Sequence, residues 1–141
     1  MTSDLRPATR ADLAGLPLEV APRLLGGHLA TTVDGQAVTV RLSEVEAYHG
    51  RGTGSVADPG SHARMGPTAR NATMWGEPGH LYVYLSHGIH SCINVVCGPP
   101  GVAGVAGTDA FPWRFWIAGD PTVSSFRWGR GAQPAARPAE D

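Results

Sequence analysis

Glycine and proline are spread along the whole chain, 19 and 12 of them in 141 residues. Glycine loses the most backbone entropy on entering a helix, and proline removes a hydrogen-bond donor and clashes with the preceding turn. A long helix is therefore excluded, and short strands joined by turns are what such a chain can build. The sequence predicts an α+β chain, built on a curved, mostly antiparallel β-sheet with few short helices and a long loop. The hydrophobic fraction of 42% supports one core, hence one domain.

Leu18 to Leu25 reads as a short helix, closed by Gly26 and Gly27 as a left-handed cap, with Pro22 keeping it short. His28 onward changes period. HLATTV and QAVTVRLSEVEAY are rich in β-branched residues, and Asp34-Gly35 between them signals a hairpin. Residues 49–80 hold so many glycines and prolines that only a long loop fits, and long loops inside compact domains are usually functional. HLYVYLS and IHSCINVVC form a second hairpin around His87-Gly88, with Tyr82 and Tyr84 on one face and Leu81, Val83 and Leu85 on the other. Gly98 to Gly107 reads as a run of small residues and turn formers, followed by AFPWRFWI as a last strand. A domain over residues 1–127 and a disordered tail over 128–141 are expected.

No apolar run approaches the roughly 20 residues that span a bilayer. The N-terminal stretch mixes acidic and basic residues where a signal peptide needs an apolar one, so a cytoplasmic monomer with no membrane partner is expected. Cys92 and Cys97 read as buried free thiols. The alternative is a zinc site at His80, His87, His90 and Cys92, but that spacing matches no standard structural site. Neither a metal nor a cofactor is expected. All 11 basic residues are arginine and the net charge is -1, so bulk charge does not announce a nucleic-acid partner. Positive potential must then be local, as at Arg64 and Arg70 beside the Gly/Pro loop.

Counting by twos along a strand running from Gln36 to Tyr48 places Val38, Val40, Leu42, Glu44, Glu46 and Tyr48 on one face. Two carboxylates thus continue an apolar row. Either the strand emerges into water after Leu42 and both are solvated, or Glu46 is held among apolar groups as a candidate general base. Tyr48, Tyr84 and His62 are the residue types that could sandwich a flat heterocycle beside that carboxylate; spacing alone does not bring them together.

EVEAYHG (44–50), GSHARMGPTARNATMWGEPGHLYVYLSHGIHSCINVVC (60–97) and FPWRFWIAGDPTVS (111–124), with APRLLGGHL (21–29) before them, closely resemble consecutive blocks of the alkyladenine-type 3-methyladenine DNA glycosylases. The resemblance implies that family's fold and its chemistry on double-stranded DNA containing damaged purines. Glu46 matches the glutamate that activates water to attack C1′ of the damaged nucleotide, leaving an abasic site. Tyr48, His62 and Tyr84 match the aromatic walls of a pocket for the flipped-out base, and Asn94 a residue at its floor. His87 stands where the family usually has a tyrosine that wedges into the minor groove. Arg64 and Arg70 match loop positions suited to phosphate contacts. The 141 residues contain no lysine, so a lysine Schiff-base lyase is excluded and the abasic product should stay uncut.

The family continues after INVVCG through a strand ending in an LLRA motif, then helices, then another strand. Here GPPGVAGVAGTDA leads directly to FPWRFW, so a segment near residue 105 is missing. Glu46 should therefore lack an arginine and a backbone carbonyl that help hold the attacking water. The sheet should lack a middle strand and its covering helices, exposing an edge and apolar surface. The chain reads either as a monofunctional glycosylase or as an impaired remnant that binds damaged DNA without excising the base.

Overall fold

The computed structural model describes residues 5–50, 58, 60–102, 104–107 and 114–125. Over these, a short 3₁₀ turn (Ala11–Leu13) precedes helix α1 (Pro17–Leu24), and seven strands follow. Proline stands at the first helical position of α1, where its missing N–H costs nothing, and the Glu19 carboxylate accepts the Leu16 N–H at 2.9 Å. Pro22 lies inside this eight-residue helix, and Gly26, at φ 76°, turns the chain out of it as expected of the cap.

β1 (His28–Val33) and β2 (Gln36–Arg41) pair antiparallel as a separate two-stranded ribbon. Asp34 and Gly35 both have positive φ, 49° and 76°, which is what a two-residue hairpin turn needs to follow the strands' twist. The ribbon corrects one expectation. The strand read from Gln36 to Tyr48 is broken at Leu42 and Ser43, so Val38 and Val40 do not share a face with Glu46; they are 45% and 50% exposed. Leu42 instead exchanges backbone hydrogen bonds with Gly26 and Gly27, both at 2.8 Å, and this pulls β2 away from the strand that follows.

That next strand, β3 (Glu44–His49), belongs to a five-stranded sheet with β4 (Leu81–Ser86), β5 (His90–Val96), β6 (Gly104–Gly107) and β7 (Arg114–Trp116), in the order β4-β5-β6-β3-β7. Each neighbouring pair is antiparallel. β6 is a second correction. Residues 98–102 do turn as read, but Gly104–Gly107, from the same stretch expected to leave a gap, fills the middle of the sheet, with Val95 and Val96 pairing Ala106 and Val105, and Tyr48 and Glu46 pairing Val105 and Gly107. Among the described residues the last strand spans Arg114–Trp116, and Ile117 N–H donates to Ser43 C=O beyond it. The predicted tail, from residue 128, lies outside the described residues.

The two faces of the sheet differ. On one, α1 covers β3: Ala21, Val45 and Ala47 are buried against Leu18, Leu24 and Phe115. Burial of such groups contributes about 25 cal/mol per Å² of apolar surface removed from water. Toward the β4 edge that same face has no cover among the described residues, leaving Leu81, Val83, Leu85 and Ile93 between 39% and 62% exposed. Among the described residues, apolar surface is thus exposed on the hairpin rather than beside a missing strand. The opposite face carries Glu44, Glu46 and Tyr48 of β3 with Tyr82, Tyr84, Asn94 and Val96. Tyr48, Ala63, Met74 and Val96 form its core, with Trp75 and Tyr82 packed against them.

Candidate active site

Loop residues 60–80 lie over this second face. Their one regular piece among the described residues is a 3₁₀ turn, Ala72–Trp75, that buries Met74. The side chain of Asn71, 4% exposed, ties the loop together. Its Nδ2 donates to the carbonyls of His62 (3.0 Å) and Gly66 (3.1 Å), and its Oδ1 accepts the Thr68 N–H (2.7 Å). Asp58 secures the approach to the loop by accepting the N–H groups of His49 (2.8 Å) and Gly60 (3.1 Å).

So held, the loop closes one side of a shallow hollow, partly open to solvent, lined by Tyr48, Gly60, His62, Met74, Tyr82, Tyr84 and Asn94. The rings of His62 and Tyr84 lie with centroids 4.7 Å apart, and those of Tyr82 and Tyr84 5.4 Å apart. His62 also stands edge-on to Tyr82, its Nδ1 3.2 Å from the phenol oxygen. Asn94 is fixed by donating from Nδ2 to the Tyr82 carbonyl at 3.1 Å. Burial pushes the Tyr82 phenol above its ordinary value, against a smaller opposing pull from the charge of Arg70.

Glu46 is 6% exposed, which decides between the two readings of its row: it is not a solvated surface carboxylate. The Tyr48 hydroxyl donates to its Oε2 at 2.7 Å, a charge-assisted geometry that links the wall of the hollow to the carboxylate. Glu44 is not solvated either. Arg114 of β7 meets it through Nε to Oε1 at 2.8 Å and a terminal nitrogen to Oε2 at 2.7 Å, while Ser124 donates its N–H at 3.0 Å. Burial raises the Glu44 carboxyl, but the hydrogen bonds of Arg114 and Ser124 outweigh it and hold the group below its ordinary value.

The structure thus brings together Tyr48, His62, Tyr84 and Asn94 around one hollow, with Glu46 bonded to the first of them. His87 lies apart, at the exposed tip of the β4–β5 hairpin, with φ 49° followed by Gly88 at 72°. Arg64 and Arg70 are exposed on the loop, and neither lines the hollow. Tyr82, Asn71 and Arg114 escaped the sequence reading as site residues. Tyr82 was legible, since it shares the face of Tyr84; the contacts of Asn71 and Arg114 depend on loop closure and strand register that no local pattern reveals. Among the described residues no group of three or more His, Cys, Asp or Glu side chains is placed to hold a metal ion, and Cys92 and Cys97 are buried free thiols.

A family profile described as methylpurine-DNA glycosylase matches residues 12–105. A protein of Leifsonia xyli subsp. xyli named "Putative 3-methyladenine DNA glycosylase" is 53% identical over 106 residues, covering 73% of this chain and 47% of that protein. Proteins of the same name from Streptomyces avermitilis and Nocardia farcinica are 49% and 45% identical, over 71% and 89% of this chain and 45% and 53% of their own lengths. The chain spans about half the length of the curated relatives it matches.

Proposed function

The chain belongs to the methylpurine-DNA glycosylase family, and from that premise we propose that it is a monofunctional DNA glycosylase of base-excision repair. It acts on alkylated or deaminated purines of the 3-methyladenine, 7-methylguanine and hypoxanthine class. The observation that carries the proposal is the aromatic hollow of Tyr48, His62 and Tyr84, joined through the Tyr48 hydroxyl to the buried carboxylate of Glu46.

A base inside a duplex exposes no face to an enzyme, so the nucleotide must rotate out, at a cost of about a few kcal/mol that is least for damaged or mispaired bases. An N3- or N7-alkylated purine is cationic, and electron-rich rings attract it by about 0.5 to 2 kcal/mol. Tyr48, Tyr84 and His62 receive the everted purine. Asn94, at the floor, selects among exocyclic groups. Glu46 accepts a proton from water as the water oxygen bonds to C1′; the N-glycosidic bond breaks, its electrons leave with the purine, and an abasic site remains. A cationic purine leaves as a neutral base, so for it a positioned water and a base suffice; hypoxanthine leaves as an anion that takes up a proton from solvent water. His87 occupies the gap in the duplex from the hairpin tip, and Arg64 and Arg70 bind phosphate.

Capture of lesions without excision is the second reading, favoured by the direct passage from β5 into β6, which leaves no counterpart of the family's LLRA arginine. Misplacing a water by about 1 Å can cost on the order of 10²-fold in rate. Incubating duplexes containing hypoxanthine or 3-methyladenine with the protein, followed by alkali, separates the two. Strand breaks with the native chain but not with Glu46→Gln support catalysis; lesion-specific binding without breaks in either supports capture.

A further inference from the structure

Glu46 has a like-charged neighbour on its own strand. Glu44 stands two positions earlier on the same face of β3, a neighbour of like charge. The register of the sheet supplies the answer: Arg114 of β7 is the direct cross-strand partner of Glu46. Side chains at such paired positions have Cβ atoms about 4.5–5.5 Å apart on the same face.

Resting on the assignment of Glu46 as general base, we propose that Arg114 is a positioning residue for it, a cation that favours its ionised form, with Glu44 and Ser124 serving to hold that guanidinium in place. Arg114 is 11% exposed and pinned on several sides. It makes the two-pronged contact with Glu44, and donates to the Ser124 carbonyl at 2.6 Å and to the Ser124 hydroxyl at 3.1 Å. It also lies 5.7 Å from the centre of the Trp116 ring. Two-pronged arginine–carboxylate contact fixes orientation as well as charge, which lysine does not.

The loop over the same face carries His62, Arg64 and Arg70, all three exposed. Tyr48 donates a neutral hydroxyl. β6 contributes no ionisable residue type, its sequence being GVAG. Helix α1, with Glu19 and Arg23, packs against the opposite face of β3 through Val45 and Ala47. His49, next along the strand, points to that opposite face as well. The Arg114 side of the interaction agrees: its pKa is raised first by the hydrogen bond to Glu44, against burial, and then by the charges of Glu44 and Glu46.

The test is a direct titration of the Glu46 carboxyl, followed by ¹³C NMR in protein carrying ¹³C-labelled glutamate, the signal being assigned by its loss in Glu46→Gln. In Arg114→Gln the midpoint should rise by about one pH unit or more, the size of effect expected for an opposite charge a few ångströms away. Arg114→Lys, which keeps the charge, should restore most of the shift. Glu44→Gln removes a like charge and releases the guanidinium, so it should lower the midpoint; this arm holds even if Arg114→Gln fails to fold. An unmoved midpoint in Arg114→Gln, or a rise in Glu44→Gln, overturns the proposal. Titration needs no turnover. A native chain that never releases a base ends the glycosylase reading, and leaves this measurement to decide the role of Arg114 by itself.

Discussion

Replacing Asn71 with alanine removes a side chain whose whole amide is engaged in holding the loop over the hollow. Hydrogen bonds to the His62 and Gly66 carbonyls and from the Thr68 N–H are lost together. Each contributes about 0.5 to 1.5 kcal/mol net. Gly66 is buried, so its carbonyl is left short of a partner, whereas His62 and Thr68 are exposed and can turn to water. The loss is therefore about 3 kcal/mol, a large part of the roughly 5–15 kcal/mol that stabilises a typical domain. For a domain near 100 residues this lowers the melting temperature by about 10 °C or more. The damage should also be local. Arg64 and Arg70 lie inside the tied segment, so limited trypsin digestion should cut Asn71→Ala after these residues at concentrations the native chain resists. Circular dichroism melts read the first effect and mass spectrometry of the fragments the second. A variant that melts within about 2 °C of the native chain, with the same digestion pattern, refutes the claim that Asn71 holds the loop.

Stability should fall as the solution is acidified, in two stages. Burial holds His49 below its ordinary value near 6.5, against the opposing charge of Asp58, so its contribution is complete above that value and is lost as pH falls through the lowered one. Glu44, held below its ordinary 4.5, acts with the same sign at lower pH, and Glu44→Gln should flatten the melting temperature only in that lower window. A melting temperature that rises between pH 7 and pH 4 contradicts both. Cys97, pushed up to about 12 by burial, should resist a thiol reagent at pH 8 in the folded protein and react on denaturation; quantitative labelling of the native chain at that position would contradict its packing against Leu13 and Val20. Tyr48→Phe removes the hydroxyl that orients Glu46, and should lower single-turnover excision by about tenfold or more, since a hydrogen bond to a charged group contributes about 1.5–3 kcal/mol. An unchanged rate constant would remove Tyr48 from the orienting role.

What the sequence made legible follows from the range of the interactions. Turn residues with local conformational demands, Asp34-Gly35 and His87-Gly88, located both hairpins, and the alternation in LYVYLS placed its tyrosines and aliphatics on opposite faces. Strand pairing across the sheet is non-local and was not legible. GVAG carries no β-branched alternation, and becomes β6 only because β3 and β5 present unpaired edges on either side of it. The break at Leu42 is of the same kind, set by hydrogen bonds to the chain leaving α1. For the site, residue types and resemblance named Glu46, Tyr48, His62, Tyr84 and Asn94, while the polar groups that secure them depend on contacts far along the chain. Arg114 meets Glu44 across 70 residues, and Asp58 and Asn71 act from within a loop that has no periodic pattern to read.

Hydrolysis of a damaged nucleotide, driven by the carboxylate beside the aromatic hollow, is the reaction proposed for this chain. It is tested most directly by mass-spectrometric detection of the free base released from a duplex with a single hypoxanthine, under single-turnover conditions. The native chain should release hypoxanthine and leave an intact abasic strand, and Glu46→Gln, folded to the same melting temperature, should release none above the rate without protein. Equal release by the two proteins, or release only with concurrent strand cleavage, would contradict the account.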